Sequence, residues 1–166
     1  MEVLGVDIGG VVIQRTGDAG EDDTSFWGPN YLDTPEVDDA MATIGALTRG
    51  RFGDAVHLVS KCGESTEART REWLSHNHFF ERTGLPPTNV HFCRKREEKA
   101  PICTRLGVTH FVDDRLEVLS YLDGVPHRYL FSPRNEEVAE FRTFLSAVTR
   151  VDSWKALDAA LDPSRK

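Results

Sequence analysis

Short apolar segments, separated by longer stretches of mixed polarity, recur along the chain. Five of these segments are rich in β-branched or aromatic residues and have little polar alternation, a pattern typical of strands buried on both faces of a parallel sheet. We predict strands at residues 3–8, 55–59, 90–93, 109–112 and 127–131.

The stretches between these strands carry apolar residues at helical spacing. The clearest, residues 35–48, begins with Thr34-Pro35 and places Ala40, Ile44 and Leu47 on one face, as an amphipathic helix requires. We predict helices at residues 35–48, 66–76, 99–106, 116–122, 135–148 and 153–161. Alternation of strands and helices predicts an α/β fold with a doubly wound, Rossmann-like parallel sheet of about five strands flanked by helices.

Length and composition fit one ordinary globular domain. The chain has 166 residues, of which 39% are hydrophobic and 28% charged, within the usual range for a single domain. We expect this domain to span residues 1–161, with a frayed tail over 162–166. Residues 15–33 break the alternation as a long polar stretch. Loops of this length are usually functional or disordered, so we predict a flap-like loop beside the end of the first strand.

Charge and cysteine usage exclude several classes of protein. The net charge of −7 argues against stable nucleic-acid binding, which usually needs a basic surface. Three cysteines without a CxxC pair indicate neither a disulfide framework nor a zinc site. The sequence shows no signal peptide, and no apolar run approaches the roughly 18 residues of a membrane helix. We therefore expect a cytoplasmic protein without membrane contact.

Polar side chains follow the ends of the first two predicted strands, where parallel α/β sheets bind ligands. Asp7 precedes Gly9 and Gly10, which places a carboxylate beside backbone that a ligand can approach closely. The structural alternative is a strand followed by a tight turn. Ser60 follows the second strand and could bind a phosphoryl oxygen, although serine is also a common helix cap at such positions.

Two further positions carry candidate chemistry. Asp113 and Asp114 follow the fourth predicted strand. Two adjacent buried carboxylates repel each other, and a hard cation such as Mg²⁺ relieves that repulsion. The alternative is that Asp114 caps the next helix. Lys99 begins a predicted helix, with three basic competitors at residues 94–96. Its structural alternative is a solvated surface charge.

The order Asp, Ser, Lys and Asp-Asp, each at the end of a successive strand–helix unit, resembles the four-motif pattern of the haloacid dehalogenase (HAD) superfamily. The resemblance covers roughly residues 1–131. It implies a Mg²⁺-dependent phosphomonoester hydrolase that acts through an aspartyl-phosphate intermediate on a small phosphorylated metabolite, such as a nucleotide or sugar phosphate.

Carried over to this sequence, the resemblance implies a role for each matching residue. Asp7 would be the nucleophile, while Ser60 and Lys99 would bind the transferring phosphoryl group and neutralise its charge. The ligands of Mg²⁺ would be Asp7, the Gly9 carbonyl, Asp113 and Asp114. The substrate would be bound by Ser60, Lys61, Gly9, Gly10 and Trp27.

One position departs from the family pattern. Phosphatases of the superfamily usually carry a second Asp two residues after the nucleophile, as a general acid worth roughly 10²–10⁴-fold in rate, and here that residue is Gly9. Substitutes could come from the long loop, although acidic loop residues are usually just solvated. The candidates there are Asp18, Glu21, Asp22 and Asp23. Dehalogenases of the superfamily also lack this Asp but use no Mg²⁺, so the Asp-Asp pair favours phosphoryl chemistry.

The glycine also motivates a different class of function, a non-catalytic HAD-like binding or regulatory domain. A third possibility is phosphotransfer to an acceptor other than water, against which the missing cap domain counts. Family members without a cap act on large substrates or form homo-oligomers in which a neighbour covers the site, so a homo-oligomer is possible here.

Aromatic and basic residues around the site could shape its specificity. Phe26, Trp27 and Tyr31 could form a flap that stacks on a ring of the substrate, or they could pack on the outer helices. Three basic residues are candidates for contacting a second anionic group of the substrate: Lys61, Arg69 and Arg71. For Arg69 and Arg71 a solvated position on the helix is the better alternative.

Overall fold

A parallel β-sheet forms the centre of the molecule in the computed structural model, which describes residues 1–15 and 28–162. Its six strands are β1 (Leu4–Val6), β2 (Val56–Lys61), β3 (Val90–Cys93), β4 (His110–Asp113), β5 (His127–Phe131) and β6 (Thr149–Val151). They lie in the order β3-β2-β1-β4-β5-β6, and every neighbouring pair is parallel. The chain starts at the centre, builds one half of the sheet and then returns to build the other, so the predicted doubly wound α/β fold is confirmed.

Helices flank the sheet and bury both of its faces. The described helices are α1 (Ala40–Arg49), α2 (Glu64–His76), α3 (Phe79–Thr83), α4 (Lys99–Leu106), α5 (Leu116–Ser120), α6 (Asn135–Glu140) and α7 (Trp154–Leu161). Side chains of α1, α2, α3 and α7 join one apolar cluster, and side chains of α4 and α5 join a second. In β2, Val56 and Leu58 belong to the first cluster and Val59 to the second. Burial on both faces explains why these strands lack polar alternation.

The sheet has one more strand than predicted. The predicted helix 135–148 is wrong in its second half, because α6 ends at Glu140 and is followed by the 3-10 helix Arg142–Ala147 and then β6. Only Val151 of β6 is buried. A short edge strand with one buried residue leaves no apolar run in the sequence, so helical periodicity extended over it.

The start of α1 differs from the prediction, and the helix α3 was not predicted. The chain before α1 pairs with the segment after β1, through a bridge between Ile13 and Glu36 and a hydrogen bond from Val37 N to Val12 O. This pairing delays the start of the helix from residue 35 to Ala40. The unpredicted helix α3 follows His78, whose positive φ of 55° separates it from α2.

Helix α7 supports the segment that carries the first motif. The N–H groups of Val11, Val12 and Ile13 all donate to Ile8 O, which forms a compact turn after β1. The buried indole of Trp154 donates from Nε1 to Val11 O at 2.7 Å. Tertiary contacts therefore fix the backbone that follows Asp7.

The predicted flap and tail fall mainly outside the described residues. Residues 16–27 and 163–166 are not described, and the chain resumes at Gly28 before the 3-10 helix Tyr31–Asp33. Among the described helices, none has the length and apolar character that a membrane span would require.

Candidate functional site

A pocket of about 240 Å³ lies at the carboxyl edge of the sheet, where the chain leaves β1, β2, β4 and β5. The order of the strands brings these ends together, because β1 lies between β2 and β4 and ligand sites of doubly wound sheets form where the winding reverses. Its lining residues are Asp7, Ile8, Gly9, Ile13, Arg15, Ser60, Lys61, Cys62, Gly63, Thr66, Thr70, Arg96, Lys99, Asp113, Asp114, Arg115, Val118 and Arg134.

A lysine joins two of the predicted acidic residues at the base of this pocket. Lys99 Nζ lies 2.9 Å from Asp7 Oδ1 and 2.7 Å from Asp113 Oδ2, and the Lys99 side chain is only 2% exposed. Burial by itself lowers the pKa of Lys99, but the charges of Asp113 and Asp7 outweigh burial and raise it. The ammonium group is therefore charged at neutral pH, and Lys99 is not a solvated surface residue.

The basic competitors at residues 94–96 do not reach these carboxylates. Arg94 is exposed, pairs with Glu67 at 2.9 Å and donates to the carbonyl of Cys62. Arg96 lines the pocket but pairs with Glu117 at 3.2 Å. Lys99 is thus the basic residue that the fold places against Asp7.

Three carboxylates converge beside Lys99. Each of Asp7, Asp113 and Asp114 offers one oxygen, these oxygens all lie within 4.8 Å of one another, and all three residues are buried. Burial and repulsion from Asp7 raise the pKa of Asp113 to about 6. Burial, together with repulsion from Asp7 and Asp113, also raises the pKa of Asp114. A set of three oxygen donors with excess negative charge fits a hard divalent cation of the kind to which Mg²⁺ belongs.

Asp114 has a cationic partner that the sequence did not indicate. Arg15 Nη1 lies 3.1 Å from Asp114 Oδ2, and Arg15 Nη2 donates to the carbonyl of Ser132 at 3.2 Å. Gly10 makes this packing possible, because its φ is +80° and an added Cβ would lie 2.5 Å from Asp114 Oδ2. Gly10 lines a neighbouring cavity rather than the pocket itself, so the structure places it as a support for Asp114 and not among the pocket-lining residues.

The start of α5 is capped by Glu137 and not by Asp114. Asp113 Oδ1 accepts the backbone N–H of Arg115 at 2.9 Å. The first N–H groups of α5, from Leu116 and Glu117, donate to the Glu137 carboxylate at 2.7 and 2.8 Å. The alternative that Asp114 caps α5 is therefore wrong, and its carboxylate faces the pocket.

The end of β2 supplies a hydroxyl, a thiol and an ammonium group. Ser60 is buried and lines the pocket, and the residue before α2 is Gly63, which makes no side-chain cap, so Ser60 does not serve as the helix cap. Lys61 is exposed and lines the same pocket. Burial raises the pKa of the Cys62 thiol to about 11, which keeps it protonated and unreactive at neutral pH.

Some predicted residues do not reach the pocket. The guanidinium of Arg69 lies over the ring of Tyr31, 5.1 Å from its centroid, and the Tyr31 hydroxyl donates to Glu72. Arg71 pairs with Glu67 and stacks over Phe92. Neither Arg69 nor Arg71 lines the pocket, and Tyr31 packs on α2. The remaining loop candidates lie outside the described residues: Asp18, Glu21, Asp22, Asp23, Phe26 and Trp27.

Three pocket arginines were missed as candidate site residues. Arg115 and Arg134 follow the last residues of β4 and β5 by two and three positions, so the ends of the predicted strands could have pointed to them. Arg15 lies eight positions after Asp7 and reaches the pocket only because the turn after β1 folds back, which no sequence signal indicates.

The pocket combines a buried carboxylate, a buried ammonium group, a hydroxyl and a set of oxygen donors that could hold a cation. This combination can attack a phosphorus atom and neutralise the charge on its oxygens. The chain matches no family model, and no curated protein shows significant similarity to it. The function is therefore argued from the geometry of the pocket.

Proposed function

We propose that the protein is a Mg²⁺-dependent phosphomonoester hydrolase that works through an aspartyl-phosphate intermediate on a small phosphorylated metabolite, as the HAD resemblance implies. One observation carries the proposal: Lys99 bridges Asp7 and Asp113 within a pocket that also contains Asp114 and Ser60. Burying three carboxylates and a lysine costs stability, because desolvation of charges is expensive. Such clusters are concentrated at functional sites.

Asp7 is the nucleophile in this proposal. Its carboxylate oxygen attacks the phosphorus, the ester P–O bond breaks, and the leaving group departs with the electron pair. A water molecule then attacks the phosphorus of the aspartyl-phosphate and breaks its bond to Asp7. Inorganic phosphate leaves, the proton of the attacking water passes to phosphate or solvent, and the Asp7 carboxylate is restored.

The neighbouring groups act on charge and position. Before the attack, Lys99 balances the negative charge of the Asp7 carboxylate. During the attack, the same ammonium group neutralises charge on the phosphoryl oxygens, and the Ser60 hydroxyl donates to one of those oxygens. Asp7, Asp113, Asp114 and the Gly9 carbonyl would hold Mg²⁺. When bound, Mg²⁺ supplies positive charge against the phosphoryl oxygens.

The leaving group receives no proton from the position that usually supplies it in HAD phosphatases. Gly9 has no side chain, and a Cβ built there meets nothing within 4 Å among the described residues. Substrates whose leaving groups are stable as anions are therefore favoured. We expect p-nitrophenyl phosphate to be hydrolysed far better than an alkyl phosphate, and a flat response would show that another group fills the acid role.

The decisive experiment measures phosphate release from a panel of phosphorylated metabolites, with and without Mg²⁺, for the wild type, Asp7→Asn and Asp158→Asn. Asp158 lies on the exposed face of α7 and controls for loss of a carboxylate elsewhere. We expect release that depends on Mg²⁺ and falls by about 10³-fold or more in Asp7→Asn alone. Release that survives in Asp7→Asn would overturn the proposed nucleophile.

A second candidate is a binding or regulatory domain without turnover, which the missing side chain at Gly9 favours. It predicts that the folded protein binds Mg²⁺ and phosphate but releases no phosphate from any substrate of the panel. The same experiment, with calorimetric titration of Mg²⁺ and inorganic phosphate alongside it, separates the two candidates.

A further inference from the structure

The pocket carries an excess of positive charge in a chain that is acidic overall. Six basic and three acidic side chains line it, whereas the net charge of the chain is −7. Lys99 pairs with Asp7 and Asp113, and Arg15 pairs with Asp114. The carboxylates at the base of the pocket therefore account for two of the six cations.

The other four cations line the same pocket. Arg96 pairs with Glu117. Lys61, Arg115 and Arg134 have no hydrogen-bond or ion-pair partner for their side chains within residues 1–15 and 28–162, and both arginines are partly buried. Partial burial of an arginine removes part of the hydration of its charge, which is unfavourable, and no acidic group among the described residues pairs with either side chain. An anion at this place would remove that penalty.

The fold holds the two arginines on the same side of the pocket. Arg115 precedes α5 and Arg134 precedes α6, after the adjacent strands β4 and β5. The Glu137 carboxylate of α6 accepts the N–H groups of both Leu116 and Glu117 at the start of α5. This contact ties the first turn of α5 to the first turn of α6, and therefore fixes the backbone beside Arg115 and Arg134.

We infer that Arg115 and Arg134 form a second oxyanion subsite, and that the substrate is a small metabolite with a second phosphate or carboxylate group beside the phosphate that is cleaved. The inference rests on the proposed function. Guanidinium groups bind such oxyanions through paired charge-assisted hydrogen bonds, and two of them match the charge of a phosphate dianion. The described residues enclose a pocket volume of about 240 Å³.

Matched pairs of substrates test the subsite. Glucose 6-phosphate against glucose 1,6-bisphosphate adds a second phosphate, and glycerol 3-phosphate against 3-phosphoglycerate adds a carboxylate. We expect the second anion to raise kcat/KM by at least about 10-fold in one pair, which identifies the anion that the subsite takes. Arg115→Gln and Arg134→Gln should each reduce that preference by about 10- to 100-fold, the loss expected for hydrogen bonds to a charged group.

Arg142→Gln is the matched control, because Arg142 is exposed and lies outside the pocket. Thermal unfolding of each variant shows whether it folds like the wild type. Calorimetric titration of methylenebisphosphonate, which is not hydrolysed, and of inorganic phosphate measures the subsite without any turnover. We expect the bisphosphonate to bind more tightly than phosphate, and this advantage to disappear in Arg115→Gln and Arg134→Gln but not in Arg142→Gln.

The outcomes separate the subsite from the proposed function. Hydrolysis that shows no preference for a second anion, with bisphosphonate binding unchanged in both arginine variants, would overturn the subsite and leave the phosphatase standing. Absence of hydrolysis, with bisphosphonate binding lost only in Arg115→Gln and Arg134→Gln, would establish the subsite and overturn the phosphatase. Absence of both hydrolysis and selective binding would overturn both.

Discussion

Both oxygens of Asp113 are engaged by the protein. Oδ2 accepts from Lys99 Nζ at 2.7 Å, and Oδ1 accepts from the backbone N–H of Arg115 at 2.9 Å. Asp114 instead pairs with the guanidinium of Arg15, at the end of a long side chain that is partly exposed. The two neighbouring carboxylates therefore differ in how firmly they are held, and Asp113 is the fixed member about which a cation site would be built.

Gly9 offers a direct test of the missing general acid. A side chain fits there without steric conflict among the described residues, and the backbone of Gly9 is not in the left-handed region. Under the proposed function, Gly9→Asp places a carboxyl group beside the leaving group. We expect the hydrolysis of an alkyl phosphate to rise by about 10²-fold or more, with a smaller change for p-nitrophenyl phosphate, which needs no proton.

Gly124→Asp is the control for this change, because Gly124 is exposed, also has open space around its Cβ position and does not line the pocket. The ratio of the two rates, alkyl to p-nitrophenyl, is the quantity to compare. A ratio that stays the same in Gly9→Asp as in the wild type would mean that this position does not govern protonation of the leaving group.

Which site residues the sequence could reveal depends on their place along the strands. Asp7 and Asp113 were found because each lies at the end of an apolar run, and the parallel pairing of β1 with β4 brings them together. Arg15 was missed, because its position depends on the turn that follows Ile8 and on hydrogen bonds between distant segments. The local sequence pattern therefore predicts a site residue at the end of a buried strand, but it does not predict a residue such as Arg15 whose position depends on tertiary contacts.

At the level of elements, α5 is too short to be stable alone. Its five residues fall below the length at which an isolated helix forms in water, and Glu137 satisfies two of its first N–H groups. We expect Glu137→Ala to lower the free energy of unfolding by about 1–2 kcal/mol, because those donors lose their acceptor. Urea denaturation measures the change.

Glu136→Ala is the matched variant, since the exposed Glu136 precedes Glu137 in the same turn. It removes the same charge from the first turn of α6 but leaves the hydrogen bonds between Glu137 and α5 in place. Equal losses of stability in the two variants would show that the contact between Glu137 and α5 contributes nothing beyond the helix dipole of α6.

The elements that the sequence missed are those whose stability comes from neighbours. The strands buried on both faces, such as β2 and β5, stand out as apolar runs. The edge strand β6 buries only Val151, and α3 depends on the left-handed backbone of His78, a conformation that favours glycine. Neither leaves a periodic pattern, so only the assembled sheet and core define them.

For the molecule as a whole, strand order decides where chemistry can occur. The chain places its first strand at the centre, and both halves of the sheet are built outward from it. Loops that leave β2, β4 and β5 therefore converge on the residue that follows β1. The candidate site draws on nearly the full length of the described chain, from Asp7 to Arg134.

The buried carboxyl groups make thermal stability depend on pH and on Mg²⁺. The folded-state pKa of Asp113 is about 6 and that of Asp114 is also raised, whereas an unfolded Asp titrates near pH 4. In the metal-free protein the contribution of Asp113 to stability is full below about pH 4 and is lost as the pH rises through about 6, and the raised pKa of Asp114 acts in the same direction. A cation requires the deprotonated carboxylates.

We therefore expect Mg²⁺ to raise the midpoint of thermal unfolding little near pH 5 and clearly near pH 7.5. Asp158→Asn should behave like the wild type, because Asp158 is exposed and does not line the pocket, whereas Asp114→Asn should lose most of the Mg²⁺ effect. A Mg²⁺ effect of equal size at both pH values would contradict cation binding by the buried cluster.

The ion pairs of Lys99 with Asp7 and Asp113 would make folding of this protein independent of cation binding. Domains such as zinc fingers have no native state until their metal arrives, so loading and folding are one event. Here an internal ammonium group pairs with Asp7 and Asp113, so we expect the protein to fold without a bound cation. Under the proposed function, a chelator would switch the folded protein off without denaturing it, and restored Mg²⁺ would switch it on without refolding.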